Sequence, residues 1–514
     1  MTVPDLRLAN ELINDNDIFV FNPMFRLRNR KDHVVIYGIQ NIGTWKLDKI
    51  SGIAVSLCNG KRTFSDIVKS LRVFSPMDSD QEAIDSIKSR LKFFFYAKLF
   101  SKEELRGDSP PQSVYPSEAI LLRKEDFVKK FHDKKFPAEE YDPISFLPKD
   151  DAEISFGPFK NIHEETPLAI NWHLTSDCAV NCKYCYLPRR SARLLPRERL
   201  FTLLDEATKI RVCEINLSGG DILLYPDLVE VLGYLQKRNF FPMMISTKSY
   251  LSYEKAKELS DVSSMIMDFQ FSIDTDDDEI ASYLVGVPNY ATKIFESITN
   301  AINAGIPVTA KAVITPYNIL TIPRLYRRLK SLGVSGIRLA MYSRSAYFHS
   351  DELHNHDESY KWLDQQASIL RKEFPDEAIF LQNGPPSIEN ASKSVLKENW
   401  ARRSSCPVGR SSMMICADGK VIPCEQMPET EEYFCGDLMN QSIMEVWNGD
   451  RLKEMTYGMP REKFKGQPCY DCEEREECLD VMGTCIRDLA AYYGSIYQPP
   501  PNCYRHELPF IRQT

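Results

Sequence analysis

The chain has 514 residues, 43% hydrophobic and 26% charged, with a formal net charge of −8. This is the balance of an ordinary globular protein with room for roughly two to four domains, and it excludes a generally basic nucleic-acid-binding surface. The N-terminal residues lack the apolar run of an export signal, and the most apolar cluster, Leu91–Phe100, is too short to span a bilayer. A cytoplasmic protein without membrane contact is therefore expected. In that reducing compartment its fourteen cysteines read as metal or redox ligands rather than as a disulfide framework.

Strand-like runs come first, at Ile18–Phe21, Phe25–Arg28 and Val34–Tyr37. They are followed by a stretch over residues 50–67 that contains Leu57-Cys58-Asn59-Gly60, and by an amphipathic pattern that predicts a helix from about Gln81 to Leu99. Strands followed by helices predict a small winged-helix-like α+β module over residues 1–104, with Cys58 as a small core residue. A DNA-binding winged helix would need a basic recognition helix, which is lacking here. Residues 105–165, with Pro110, Pro111, Pro116, Pro137, Pro143, Pro148 and Pro158 among many charges, read as a linker or bridging segment.

Residues 166–345 alternate between β-branched runs and amphipathic stretches. Strands are predicted at Leu168–Leu174, Val212–Leu217, Met243–Ser246, Ile266–Ile273, Val308–Thr315 and Gly336–Tyr342. Helices are predicted at Arg197–Ile210, Pro226–Arg238, Tyr253–Ser260, Ala291–Ala304 and Ile322–Leu332. This alternation implies an α/β fold with a parallel sheet and right-handed crossovers. Six units are too few for a closed eight-stranded barrel, so a partial barrel and an open doubly wound sheet both fit. Either form places ligands at the carboxyl ends of the strands.

At that end of the first strand lie Cys178, Cys182 and Cys185, spaced Cys-x3-Cys-x2-Cys. A structural zinc or an electron-transfer cluster normally takes four protein ligands. Three thiolates on one loop can hold three irons of a cubane and leave the fourth iron open to a small chelating ligand. A zinc site is the alternative this run leaves open by itself. After the second strand comes Leu217-Ser218-Gly219-Gly220-Asp221, where two glycines permit close backbone approach and a carboxylate can accept from an ammonium group. Ser246, Thr247 and Ser249 end the third strand, and Ser272 and Asp274 end the fourth. Taken singly, each would serve as a turn or cap residue.

Residues 346–400 read as a connecting helical region and residues 401–514 as a cysteine-rich domain. Cys406 is followed after twelve residues by Gly419 and after four more by Cys424; then comes Cys469-x2-Cys472-x5-Cys478-x6-Cys485-x17-Cys503. Cys416 and Cys435 lie between the two groups. Seven spaced cysteines suffice for two metal sites, with a pair of zinc ribbons as the alternative to iron–sulfur clusters.

The first cysteine run resembles the signature of the radical S-adenosylmethionine (SAM) superfamily, and Gly219-Gly220-Asp221 resembles its Gly-Gly-Glu motif, with aspartate in place of glutamate. The later cysteines resemble the SPASM extension of such enzymes. The Leu57-Cys58-Asn59-Gly60 stretch with its flanking strands and helix resembles the leader-recognition element of enzymes that modify ribosomally made peptides. These resemblances imply a partial (β/α)6 radical SAM barrel between a peptide-binding domain and a SPASM domain. They imply SAM and three [4Fe–4S] clusters as cofactors, one on Cys178, Cys182 and Cys185 and two auxiliary. Cys469, Cys472, Cys478 and Cys503 would hold the outer auxiliary cluster, and Cys406, Cys424 and Cys485 the inner one. Cys416 or Cys435 are candidates for the inner cluster's fourth ligand, with an open iron as the alternative.

Tyr184, Gly219, Gly220, Asp221, Ser246, Ser272 and Asp274 would contact the cofactor. Val285 stands where the family often carries an arginine, which leaves Lys311 as a candidate cation. Glu425, after Cys424, matches the position of a base in sulfatase maturases. The expected partners are a ribosomal precursor peptide and an electron donor such as a flavodoxin or ferredoxin. The expected activity is an oxidative cross-link in the core peptide: a thioether, carbon–carbon or ether bond. The competing activities are a sulfatase-type maturase and a peptide epimerase, and the competing non-enzyme is a zinc-stabilised peptide-binding scaffold.

Overall fold

A computed structural model describes residues 13–39, 43–74, 84–85, 87–88, 120–131, 139–147, 163–188, 193–238, 243–262, 266–345, 347–374, 380–382, 397, 400, 406–500 and 503–505. The chain divides into two compact units, Met1–Asn161 and Ile162–Thr514.

In the first unit, β2 (Phe25–Asn29), β3 (Val34–Gly38) and β4 (Gly43–Leu47) form an antiparallel meander. In a second sheet, β1 (Ile18–Phe21) lies between β5 (Asn59–Thr63) and β6 (Leu121–Arg123). Asp48 caps the helix Lys49–Leu57 by accepting from the Ser51 N–H at 2.9 Å, an interaction worth about 1 kcal/mol. Phe19, Phe25, Ile36, Ile53, Phe64 and Phe146 meet in one core with Cys58. Burial pushes the Cys58 thiol up to about 12, so it behaves as a small apolar side chain.

One expectation is corrected here. Parts of the segment read as a linker belong to this unit: β6 pairs with β1, and Phe146 lies in the core. A few apolar anchors, Ile120, Leu121 and Phe146, outweigh the surrounding proline and charge. Of the helix expected over Gln81–Leu99, residues 84–85 and 87–88 are helical, and the rest falls outside the described residues.

The second unit is built on one ten-stranded sheet. Seven parallel strands run in sequence order: β7 (Ala169–Thr175), β8 (Glu214–Gly219), β9 (Met243–Thr247), β10 (Ile266–Ser272), β11 (Val308–Ile314), β12 (Gly336–Met341) and β13 (Phe380–Gln382). A doubly wound sheet reverses its order between its halves; from β7 to β13 this one does not, as in a partial barrel. On the other side of β7, β14 (Ser412–Ile415) adds in parallel and continues into β15 (Lys420–Ile422) and β16 (Gly436–Asp437). The cysteine-rich region thus extends the barrel sheet. Helices 197–209, 228–237, 253–262, 290–303 and 322–331 carry buried Leu203, Leu232, Leu259, Ile298 and Leu325. The helix Asp278–Val285 was not expected from the apolar pattern.

In β11 and β12, residues alternate between buried and half-exposed. Parallel strands packed on both faces would be buried throughout. One face of this sheet therefore remains accessible, with Thr309, Lys311, Val313 and Arg338 on it. No helix among the described residues is long and apolar enough to cross a membrane.

Candidate active site

The cysteine loop leaves β7 through an irregularity in its pairing with β8 between His173 and Thr175. The backbone then meets the end of β8: Gly220 N–H donates to Thr175 O at 2.8 Å and Asp221 N–H to Asp177 O at 2.7 Å. A Cβ at Gly219 would sit 2.1 Å from Thr175 O, and one at Gly220 would sit 2.2 Å from Asp177 O. The two glycines are thus required by the approach of the cysteine loop itself. On its far side the loop docks on the helix Asp278–Val285, with Asn181 N–H donating to Val285 O and Lys183 N–H to Leu284 O. Val285 itself is fully buried, so the position that resembled an arginine site is a core position here. Ser345 Oγ holds the loop's end by donating to Cys185 O at 2.9 Å.

Asp221 is held by the protein around it. Its carboxylate is buried and accepts from Leu223 N at 3.1 Å, Thr247 Oγ1 at 2.8 Å and Lys248 N at 2.7 Å. It pins the end of β8 to the end of β9, and desolvation raises its pKa against the effect of these donors. The carboxylate therefore faces protein donors, and a buried cation lies nearby on a residue outside the sequence reading. Lys248 Nζ donates to Tyr184 OH at 3.0 Å and lies 4.8 Å from that ring's centroid. Burial works against its charge, but Cys182 and Asp274 outweigh burial and raise its pKa.

Tyr184 OH in turn donates to Asp274 Oδ2, while Asp274 Oδ1 accepts from Val313 N at 2.8 Å. Tyr184, Asp274, Lys248 and Cys182 thus form one group at the strand ends. Tyr290, also missed, donates to Ser272 O at 2.8 Å beneath them. Lysine in a run of serines and threonines and a tyrosine opening a helix carry no signal of their own; strand topology alone brings them in.

Ser246 accepts from Gln270 Nε2 at 3.1 Å, and Arg338 Nη1 reaches Gln270 Oε1 at 3.3 Å, which makes a polar layer across β9, β10 and β12. Lys311 pairs in register with Ser272 on one side and Arg338 on the other. Desolvation lowers its pKa, partly opposed by Glu425. Glu425 also raises the pKa of Tyr186, after burial as the main cause. Glu425 therefore sits close to the first cysteine loop and to Lys311 as well as to Cys424. His173 on β7 was also missed: it is buried, neither ring nitrogen has a hydrogen-bond partner, and Nδ1 lies 3.8 Å from Glu429 Oε1.

The later cysteines fall into two sets. Cys424 is pushed up to about 12 by burial and Glu425, with smaller contributions from Cys406 and Cys485. Cys469 is likewise pushed up to about 12 by burial, then by Cys503 and Cys472. Arg505 Nη1 approaches Cys472 Sγ at 3.8 Å. Cys478 N–H donates to Glu474 O in a π-helical turn, Glu476–Val481. Cys435 Sγ lies against Met455 Sδ at 3.6 Å, and Cys416 is buried at the end of β14 with its N–H on Lys420 O at 2.8 Å.

Thiols gathered at two places, beside one another rather than alone in a core as Cys58 is, have the chemistry of cluster ligands. The sequence pattern of the radical SAM superfamily matches residues 172–339, and that of an iron–sulfur cluster-binding domain, SPASM, matches residues 406–473. The chain carries a radical SAM domain and a SPASM domain. Its cofactors are SAM and [4Fe–4S] clusters.

Among relatives, a PqqA peptide cyclase of Gluconobacter oxydans (strain 621H) is 21% identical over 346 residues, covering 66% of this chain and 90% of that protein. The PqqA peptide cyclase of Bradyrhizobium diazoefficiens is 25% identical over 344 residues, covering 66% and 86%. Among solved structures, Streptococcus suis SuiB bound to SAM matches with a TM-score of 0.61 at 14% identity, covering 94% of this chain and 98% of that one. SuiB bound to its precursor peptide SuiA matches with a TM-score of 0.60 at 15% identity, covering 93% and 98%. These likenesses establish the shared fold across both units.

Proposed function

We propose that this radical SAM enzyme is a peptide maturase that binds the leader of a ribosomally made precursor and installs an oxidative cross-link in its core. The observation that carries this reading is the match over nearly the whole chain, N-terminal unit included, to SuiB with a precursor peptide bound. The curated cyclases, which also act on a peptide by name, match 66% of the chain.

In the N-terminal meander, β2 and β4 are the outer strands. The β2 side is occupied: Tyr141 OH accepts from Leu27 N at 3.1 Å, and Glu139 accepts from Arg28 at 2.9 Å. This supports β4 as the strand along which a leader adds, with backbone bonds supplying affinity and side-chain pockets supplying choice.

In the second unit, Cys178, Cys182 and Cys185 would hold the cluster that binds SAM, and the two later cysteine sets the auxiliary clusters. When bound, these groups supply a deoxyadenosyl radical that takes one hydrogen atom from the peptide and an acceptor for the electron left behind. The remaining proton falls to the chain, and Glu425, between Cys424, Tyr186 and Lys311, is the candidate base. Gly219, Gly220 and Asp221 hold the cysteine loop, while Lys248, Tyr184, Asp274, Ser246, Ser272 and Lys311 line the place where SAM and peptide would meet. The half-exposed sheet face gives a peptide segment room that a closed, packed barrel lacks. A cytoplasmic setting fits fourteen cysteines with no disulfide among them, and an electron donor such as a flavodoxin or ferredoxin would supply the reducing electron.

The test compares the full precursor, sought as a short reading frame beside the gene, with its leaderless core as substrates of the reconstituted holoenzyme. Processing of the core alone should fall by about 100-fold, in keeping with loss of the docking contribution. Equal processing of both would overturn leader capture and favour a sulfatase-type maturase.

A further inference from the structure

The segment after β12 carries His349, Asp351 and His354, which neither the cysteine chemistry nor the peptide reading uses. Their ligand atoms lie within 4.8 Å of one another. His349 Nε2 is 2.8 Å from Asp351 Oδ1, and its Nδ1 is 2.9 Å from Tyr342 OH. Ser350 N–H donates to the same phenol at 3.2 Å. The ring of His354 lies 5.1 Å from that of His349, centroid to centroid, and its buried Nε2 has no hydrogen-bond partner. The intervening Glu352 is engaged elsewhere, accepting from Tyr283 OH and Tyr317 OH at 3.1 Å each.

We propose that His349 Nε2, Asp351 Oδ1 and His354 Nε2 form a zinc site separate from the iron–sulfur centres. Two imidazoles and one carboxylate are a ligand set zinc accepts, with water completing four-coordination. Tyr342 supplies the outer contact that fixes a metal-binding imidazole, since its oxygen can take the Nδ1 proton while Nε2 binds the ion. The orphaned Nε2 of His354 gains a partner, which recovers the cost of leaving a buried polar atom unsatisfied.

The site would staple a functional segment. The same stretch carries Ser343, which accepts from Arg487 at 3.0 Å, Ser345 on Cys185 O, and Tyr347, whose OH accepts from Glu429 N at 2.6 Å. It therefore ties the radical SAM loop to the SPASM domain, and a bound ion would brace it there.

Anaerobically reconstituted holoenzyme equilibrated with zinc and then desalted tests this. One zinc per chain is expected with iron content unchanged, and the zinc X-ray absorption edge should show only nitrogen and oxygen neighbours. His349→Ala and His354→Ala should each weaken zinc binding by at least about ten-fold while retaining iron. In the unaltered enzyme, zinc should slow hydrogen exchange over residues 343–356. Absence of zinc uptake, sulfur in the zinc shell, or equal uptake by both variants would overturn the site.

Discussion

The radical SAM loop and the SPASM domain both gather cysteines, but they are held in opposite ways. The loop is fixed by regular structure: it sits on the ends of β7–β11 and on one helix, through backbone contacts at Gly219 and Gly220 and through Asp221 and Asp274. Much of the SPASM domain is irregular backbone tied by buried arginines. Arg410 Nη2 donates to Thr456 O, Leu479 O and Asp480 O at 3.0, 2.8 and 3.1 Å. Arg475 donates to Met459 O, and its guanidinium lies 5.3 Å from the Phe464 ring centroid. A sheet presents its strand ends for a site at no extra expense. Where strands run out, long cationic side chains must satisfy carbonyls that no ladder reaches.

The sharpest way to separate the two regions is to remove one cysteine from each. Cys182→Ala should lower deoxyadenosine formation by about a thousand-fold or more, since the cluster loses one of its three protein ligands. Cys472→Ala should leave it within several-fold and abolish the modified peptide; equal loss in both would erase the distinction. Gly220→Ala comes next. Its new Cβ would fall 2.2 Å from a carbonyl oxygen, so SAM cleavage should drop by about 100-fold with the SPASM iron retained. Arg410→Ala should destabilise the SPASM domain by about 3 kcal/mol through three unsatisfied carbonyls, seen as faster hydrogen exchange over residues 456–482, with protection of residues 214–219 unchanged. Tyr184→Phe should cost least, about 1 kcal/mol, read as a several-fold weaker affinity for SAM.

The same contrast explains what was legible in the sequence. The barrel strands were readable because β-branched runs alternate with amphipathic stretches, and observed boundaries such as Val308–Ile314 and Gly336–Met341 depart little from the pattern. The cysteine spacings marked both metal-binding regions, and covalent chemistry needs no fold to announce itself. Lys248, Tyr290 and His173 were not readable, because their place depends on which strand neighbours which. Asp221 was noticed for its motif, but its partners Thr247 and Lys248 lie on the next strand. The anchoring of residues 120–131 and 139–147 in the N-terminal unit was hidden because a few apolar residues carry it amid proline and charge.

The central claim is that this radical SAM enzyme cross-links a peptide, and one measurement bears on it most directly. The reconstituted holoenzyme, its precursor peptide, SAM and a chemical reductant are combined, and the mass of the core is followed. The account predicts loss of two hydrogen atoms from the core with deoxyadenosine formed in step. A core of unchanged mass, with deoxyadenosine still formed, would contradict it and point to epimerisation.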